Sequence, residues 1–566
     1  MRGNAHRYTA AGTGLLLVST MVALAHPMAG EASAATAPPG AAADPPAVGA
    51  GLDWAACTDL EAPKGIELEC ATLPVPLDHH AGGRSAVVEI ALSRVPARAE
   101  ATDALLVNPG GPGSGGRFLA ARTAGSLPGD LRDSYDVIGF DPRGTGASTP
   151  AVGCDPDYFT APRPDSVPAT ADDERLMVKR SRTYAEACER TGGALLNHMR
   201  TTDSAHDLDA IRAALGRERI DYLGYSYGTY LGGVYATLYP ERVRRLVLDS
   251  VVHPDRSWYQ GNLAQSRSLE AAAGRFFDWV ARHDSAYGLG DTAEEVAGRY
   301  YATREALRAR PVDDRIGPTE LESTFLVAAY AAQAWPFLAS ALADLSNDNR
   351  PARLVSAFDR MGESPDHDPS FAAYLATECT DAPWPRSWQR WRTDARGVHA
   401  DAPFLGWYNI WYNAPCAFWP AEPGEWFQVD GERVENALLV HATGDGPTPV
   451  GGAYAMHRRF PEARLVIEDG GLSHGVALRG NTCVDDAVID YLREGRLPDA
   501  GGTPDGGDLV CGARPEPEPR KPSPAPQRQA APDPGVSLGS APPSTSGASA
   551  GFPVIPAIGA LARINR

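Results

Sequence analysis

The sequence predicts an α/β protein: a doubly wound, mostly parallel sheet, interrupted once by a helical insertion that caps its carboxyl edge. Three observations predict it. Short apolar runs recur along the chain, each ending in Gly-rich or polar punctuation, as strands buried on both faces of a parallel sheet do. Helical periodicity separates several runs, as over residues 205–215, where Leu208, Ile211, Ala214 and Leu215 fall in period. Between residues 252 and 434 the strand runs vanish, and the chain turns rich in Trp, Ala and Arg with helical periodicity before strand runs resume.

Residues 1–34 read as an export signal. Arg2 and Arg7 supply the basic end, an apolar run covers about residues 10–25, and Ala32-Ser33-Ala34 or the earlier Ala23-Leu24-Ala25 offers a cleavage site. Gly12, Gly14 and Ser19 interrupt the run, which is short for a membrane span. Residues 35–50 are mostly Ala, Pro and Gly, a flexible leader or pro-segment. The first part of the core is expected over 51–251, with strands at 104–107, 135–140, 220–223 and 243–248. The helical cap follows over 252–434. The second part of the core occupies 435–512, with strands at 437–441 and 463–467. From 513 to 566 the chain is dominated by Pro, Ser and Ala, which bury too little apolar surface to offset the entropy of ordering, so a disordered tail is expected. Its last apolar stretch, 551–562, is too short and Pro-broken to span a bilayer, leaving at most a weak cell-surface contact.

A formal net charge of −19 over 566 residues argues against nucleic acid as a partner, since phosphate binding needs clustered Lys and Arg. Eight cysteines suit an exported chain that keeps disulfides. Cys57, Cys70, Cys154, Cys188, Cys379, Cys416, Cys483 and Cys511 fall into four separated segments, so pairing in sequence order is expected. None shows the C-x-x-C spacing of a zinc or redox site. No metal and no organic cofactor is implied.

The chemistry centres on Gly224-Tyr225-Ser226-Tyr227-Gly228, which follows the apolar run 220–223 and precedes a helix-compatible stretch. That context is a nucleophile elbow: a strained strand-to-helix turn lifts the serine hydroxyl above the sheet, and glycines on both sides avoid backbone collisions. It narrows the fold class to the α/β-hydrolase fold. A serine hydroxyl needs a base to take its proton. In this fold the acid and then the histidine follow later in the chain, each in a loop at the carboxyl end of a strand. Asp445 follows the run 437–441, and His474 follows the run 463–467. Asp249, ending the strand after the serine, is the second candidate acid, and Asp469 reads as a loop charge. His206, His253, His441 and His457 are the rival histidines, His441 lying within a strand. Oxyanion stabilisation needs backbone N–H donors. Tyr227, directly after the nucleophile, supplies one, and the Gly-rich loop after Asn108, at Gly110 and Gly111, supplies the other.

Pro109-Gly110-Gly111-Pro112-Gly113, Phe140-Asp141-Pro142-Arg143-Gly144, the elbow extended through Thr229-Tyr230-Leu231-Gly232, and Ser473-His474-Gly475-Val476 together resemble one family. It is the secreted tripeptidyl aminopeptidases of Streptomyces-type bacteria, relatives of the prolyl aminopeptidases. Glu378-Cys379-Thr380-Asp381-Ala382 with Trp384-Pro385, and Cys416 with Trp419-Pro420, are similar to the same group, and the likeness covers about residues 50–512. The acid loop, Thr-Gly-Asp-Gly-Pro-Thr-Pro, departs from the shared pattern by an extra glycine and proline, and the long tail lies outside it. The resemblance implies Ser226, Asp445 and His474 as catalytic triad, and peptides with a free N-terminus as substrates. It further suggests that Glu378 and Asp381, fixed by a Cys379–Cys416 disulfide, hold the substrate's α-ammonium about 10 Å from Ser226, three extended residues away. Thr448, three residues after Asp445, is expected to line the substrate site. An esterase with the same triad is the nearest alternative, and a non-catalytic binding protein of the same fold the next.

Overall fold

The computed structural model describes residues 51–519 apart from Pro504. The expected export signal, the leader and the tail beyond residue 519, including its expected cell-surface contact, lie outside the described residues. Ten strands form one sheet: β1 (Ala55–Ala56), β2 (Glu69–Pro76), β3 (Val87–Val95), β4 (Asp103–Asn108), β5 (Tyr135–Phe140), β6 (Ile220–Tyr225), β7 (Val243–Asp249), β8 (Ala437–Ala442), β9 (Ala463–Asp469) and β10 (Leu509–Gly512). Their order across the sheet is β1-β2-β3-β5-β4-β6-β7-β8-β9-β10. The pairs β1·β2, β2·β3 and β3·β5 are antiparallel, and every pair from β5·β4 to β9·β10 is parallel. The six runs expected from apolarity are the central strands. The sequence reading missed β1, β2, β3 and β10, which lie outside that block.

Alternate residues of the central strands pack on opposite faces. Leu106, Ile138, Tyr222, Leu246 and Leu439 belong to the core on one side. Leu105, Val107, Val137, Leu223, Val247, Leu438 and Val440 belong to the core on the other. All are fully buried, and each such side chain contributes about 1.5–3 kcal/mol of transfer free energy. The strand order reverses between β4 and β6, so the chain runs outward in both directions from that seam, and ligand crevices form at the carboxyl ends of strands at such a reversal. In register, Asn108 of β4 stands beside Gly224 of β6. The glycine-rich loop and the serine turn therefore share one crevice.

Among the described residues, sheet strands stop at Asp249 and resume at Ala437. The intervening chain is helical, led by the helices Trp258–Arg282, Pro318–Tyr330, Asp368–Asp381 and Gly406–Asn413. Phe276, Trp279, Tyr300, Phe325, Trp335 and Phe404 are part of a second hydrophobic core of its own. The first described residues of the expected tail make defined contacts. Arg514 pairs with the buried Glu468 at 3.1 Å, Glu516 with Arg282 at 2.7 Å, and the Pro517 carbonyl accepts from Trp279 Nε1 at 3.2 Å, so residues 514–517 strap the sheet edge to the first cap helix. Charge pairing orders a segment that its apolar content could not.

The four disulfides run in sequence order: Cys57–Cys70, Cys154–Cys188, Cys379–Cys416 and Cys483–Cys511. Cys379–Cys416 closes a 37-residue span and ties the helix Asp368–Asp381 to the segment after Gly406–Asn413. A Cys379→Ser/Cys416→Ser double variant should lose about 3–4 kcal/mol of stability, from the loop-closure entropy restored to the unfolded chain. Urea denaturation under oxidising conditions would measure it, and an unchanged midpoint would show that packing alone holds the two helices.

Candidate active site

Ser226 sits between β6 and the helix Tyr227–Leu238 with φ 59° and ψ −127°. A side chain at positive φ is strained, and the turn holds it only because its neighbours leave no alternative. A Cβ on Gly224 would lie 2.4 Å from Gly228 O, and one on Gly228 would lie 2.8 Å from Asn108 Oδ1, so neither glycine has room for a side chain. Tyr227 opens the helix, where backbone N–H groups lack intrahelical acceptors, and its amide is available above the turn. The serine lines a cavity with Gly111, Tyr227, Trp258, Glu378 and Thr448.

His474 Nδ1 lies 2.8 Å from Asp445 Oδ2 and 3.0 Å from Oδ1. Asp445 Oδ1 also accepts the Thr448 N–H at 2.8 Å, and Thr448 Oγ1 is 3.4 Å from the same ring nitrogen. Burial disfavours charge on both partners, but their mutual attraction outweighs it. Asp445 is held below the ordinary carboxyl range, and His474 is raised above the ordinary imidazole value, with Asp249 adding to the rise. The arrangement suits a base that becomes an imidazolium. Among the described residues Ser226 Oγ makes no hydrogen bond to the ring; in empty sites that contact is commonly long and tightens around bound substrate.

The rival residues find other partners. His206 Nδ1 meets the Tyr239 hydroxyl at 2.6 Å, and His457 lies 3.2 Å from Asp508. His253 lines the cavity, with its ring accepting the Asp255 N–H. His441 is buried, accepts the Val251 N–H at 2.9 Å and donates to Thr448 O at 2.9 Å, and burial holds it neutral. Asp469 stays at the surface beside Thr443. Asp249 touches the backbone of the His474 loop and not its ring.

Two expected residues hydrogen-bond away from the cavity. Gly110 approaches the serine turn closely, and a Cβ there would lie 2.4 Å from Tyr225 O, but its N–H donates to Asn108 Oδ1 at 2.8 Å. Its amide is therefore spent on the loop, and Gly111 is the one that lines the cavity. Asp381 does not line the cavity. Its Oδ1 accepts the Thr201 N–H at 2.7 Å, and its Oδ2 accepts Thr201 Oγ1 at 2.6 Å and Trp258 Nε1 at 3.0 Å. Those donors hold it in the wall behind Tyr227, outside the cavity lining.

Glu378 does face the cavity. It is 3% exposed, and its Oε2 accepts from Asn262 Nδ2 at 3.0 Å. Burial pushes its carboxyl up to about 8, opposed by Asn262 and by the Tyr374 hydroxyl beside it. A buried acid without a cation is costly, and a bound cation would relieve it.

Cap residues that the sequence reading missed support the catalytic loops. From one face of the helix Trp258–Arg282, Gln265 donates to Pro447 O at 2.9 Å, Ser268 to Asp445 O at 3.0 Å and Arg275 to Gly444 O at 2.6 Å. The Tyr330 carbonyl accepts the His474 N–H at 2.8 Å. Asn262, Gln265 and Ser266, spaced i, i+3 and i+4, put a polar stripe where a cap helix would otherwise be apolar, and that spacing was the available signal.

Residues 103–472 match the model of the alpha/beta hydrolase fold family, an interval that stops two residues short of His474. Over 481 residues the chain is 39% identical to a tripeptidyl aminopeptidase of Streptomyces lividans, covering 83% of this chain and 88% of that protein. It is 33% identical over 511 residues to a carboxylesterase B of Mycobacterium tuberculosis, covering 85% and 95%. It is 29% identical over 481 residues to the serine protease Hip1 of the same species, covering 81% and 91%.

Proposed function

The chain belongs to the α/β-hydrolase fold family and is a serine peptidase, and from that premise we propose that it releases tripeptides from peptides with a free N-terminus. Ser226 is the nucleophile, His474 the base and Asp445 the residue that orients and stabilises the ring. As Ser226 Oγ bonds to the peptide carbonyl carbon, its proton passes to His474 Nε2. The carbonyl oxygen takes the negative charge against the amides of Tyr227 and Gly111. The C–N bond then breaks, the imidazolium gives its proton to the leaving amine, and water hydrolyses the acyl-enzyme by the same route in reverse.

The observation that carries the tripeptidyl reading is Glu378, a buried acid in the same cavity as Ser226 with no arginine or lysine among its hydrogen-bond partners. An α-ammonium is the cation that a peptide brings. We also assign the enzyme to the outside of the cytoplasm, since four disulfides need an oxidising compartment and residues 1–34 carry the features of an export signal. No helix among the described residues is long and apolar enough to cross a membrane.

The esterase alternative rests on the likeness to carboxylesterase B. One assay separates the two: a tripeptide p-nitroanilide with a free N-terminus against its N-acetylated form. Cleavage of the free form about 10- to 150-fold faster is expected, the loss of one charge-assisted pair. Equal rates, or turnover of simple esters alone, would replace the aminopeptidase reading with the esterase one.

A further inference from the structure

The catalytic scheme leaves the buried Asp249 carboxylate, bonded to the loop after His474, without a task. We propose that Asp249, the last residue of β7, and Ser250 after it are positioning residues that clamp the loop carrying His474 against the turn carrying Ser226, and that the Asp249 carboxylate favours the imidazolium through its charge. The inference rests on the triad assignment above and does not depend on the peptide specificity.

Three consecutive amides directly after His474 end on this corner. Ser250 Oγ accepts the Gly475 N–H at 2.7 Å, and Asp249 Oδ2 accepts the N–H groups of Val476 at 2.8 Å and Ala477 at 2.7 Å. Ser250 Oγ in turn donates to Asp249 Oδ1 at 3.2 Å, so the two side chains form one acceptor unit. The backbone of the same residue holds the nucleophile: Asp249 O accepts the Ser226 N–H at 2.9 Å. The next residue reaches the acid loop, because Val251 N–H donates to His441, whose other nitrogen donates to Thr448 O. All three catalytic segments thus meet on residues 249–251.

Two features mark the corner as more than packing. Ser250 holds φ +59°, in the left-handed region where glycine would be relaxed, and glycine would lose the hydroxyl that Gly475 needs. Asp249 is fully buried, yet no arginine or lysine pairs with it among the described residues. Neutral acceptors could satisfy the same amides at lower desolvation cost. A carboxylate is favoured over a neutral acceptor where a positive charge appears nearby, and protonated His474 is the cation whose charge acts on it. Tyr225 on β6 and Asp445 on the acid loop are the other titratable groups around it, and neither is cationic. Burial lifts the Asp249 carboxyl to about 7, opposed by the two loop amides and by His474, so the group changes charge near neutrality.

The test uses the whole protein with Asp249→Asn and Ser250→Ala, assayed on the free tripeptide p-nitroanilide and on a simple p-nitrophenyl ester. For Asp249→Asn we expect kcat about 10-fold lower on both substrates and KM within about two-fold. Its acid limb of kcat should move to lower pH by about half a unit, since His474 loses one of two negative neighbours. Ser250→Ala should lower kcat several-fold with the acid limb unmoved, which separates clamping from charge. Wild-type kcat and an unmoved acid limb in both variants would overturn the proposal and leave the corner a packing element. If Asp249→Asn fails to fold, Ser250→Ala decides: a kcat loss at constant KM sustains the clamp, and wild-type kcat ends it. A wild-type enzyme active only on the ester would sink the aminopeptidase reading while the ester assay still reads the corner.

Discussion

Ser226→Ala is expected to lower kcat by about 10⁶-fold, to the residual level that oxyanion donors and binding sustain alone. The loss is large because the hydroxyl supplies the bond-forming atom, and without it only the slow direct attack of water builds an oxyanion against the Tyr227 and Gly111 amides. Stability should not change. Alanine inherits the φ of 59° that serine already bears, and Ser226 Oγ contributes no hydrogen bond among the described residues. Turnover, labelling by a fluorophosphonate probe and melting temperature, measured on the same preparation, check all three statements. Turnover surviving in the alanine variant would remove Ser226 from the mechanism and with it the assignments of Asp445 and His474.

Glu378→Gln carries the second large effect, and it is selective. An ammonium–carboxylate hydrogen bond is worth about 1.5–3 kcal/mol, so kcat/KM on the free tripeptide should fall by about 10- to 150-fold while the slow cleavage of the acetylated form stays as it was. The pH dependence has a definite sign. With its carboxyl pushed up to about 8, Glu378 is neutral in the empty site at pH 6–7 and must release a proton to receive an ammonium. The KM for free peptides should therefore rise about tenfold per unit as pH falls below 8. It should rise again above 8 as the substrate's own amine, with an ordinary pKa of about 7.7–8.0, loses its charge. The glutamine variant should lack the acid-side rise. A KM in the wild type that stays flat from pH 6 to 8 would mean that Glu378 does not meet the ammonium.

The centre of this fold was legible because its strands are buried on both faces. Runs such as Leu105-Leu106-Val107 and Leu438-Leu439-Val440 have no polar face to disguise them, and the nucleophile turn advertises itself by two glycines at a spacing that sterics require. The outer strands were not legible for the converse reason. In β2, buried and exposed positions alternate, and Pro74 and Pro76 argue against a strand until the antiparallel edge they occupy is known. The meeting of Asp445 with His474 could be read from loop position alone. The fate of Asp381 could not, because its backbone and hydroxyl donors belong to Thr201, 180 residues away, and no local pattern encodes that meeting. Gly110 differs: its acceptor is Asn108, two residues back, a local contact that the Asn108-Pro109-Gly110 sequence itself encodes.

The hydrogen bonds from Gln265, Ser268 and Arg275 to the acid loop, with the Tyr330 carbonyl on the His474 amide, bear on how such an enzyme could acquire a new specificity. Where an insertion merely shelters a catalytic centre, recombination can exchange it for another and leave the chemistry running. Here the inserted helices are also the scaffold of two catalytic segments, so a transplanted replacement would arrive without those donors and disable the centre it was meant to redirect. A change of specificity is then expected to come from single substitutions that spare Gln265, Ser268 and Arg275, at cavity-lining positions such as Asn262 and Tyr374.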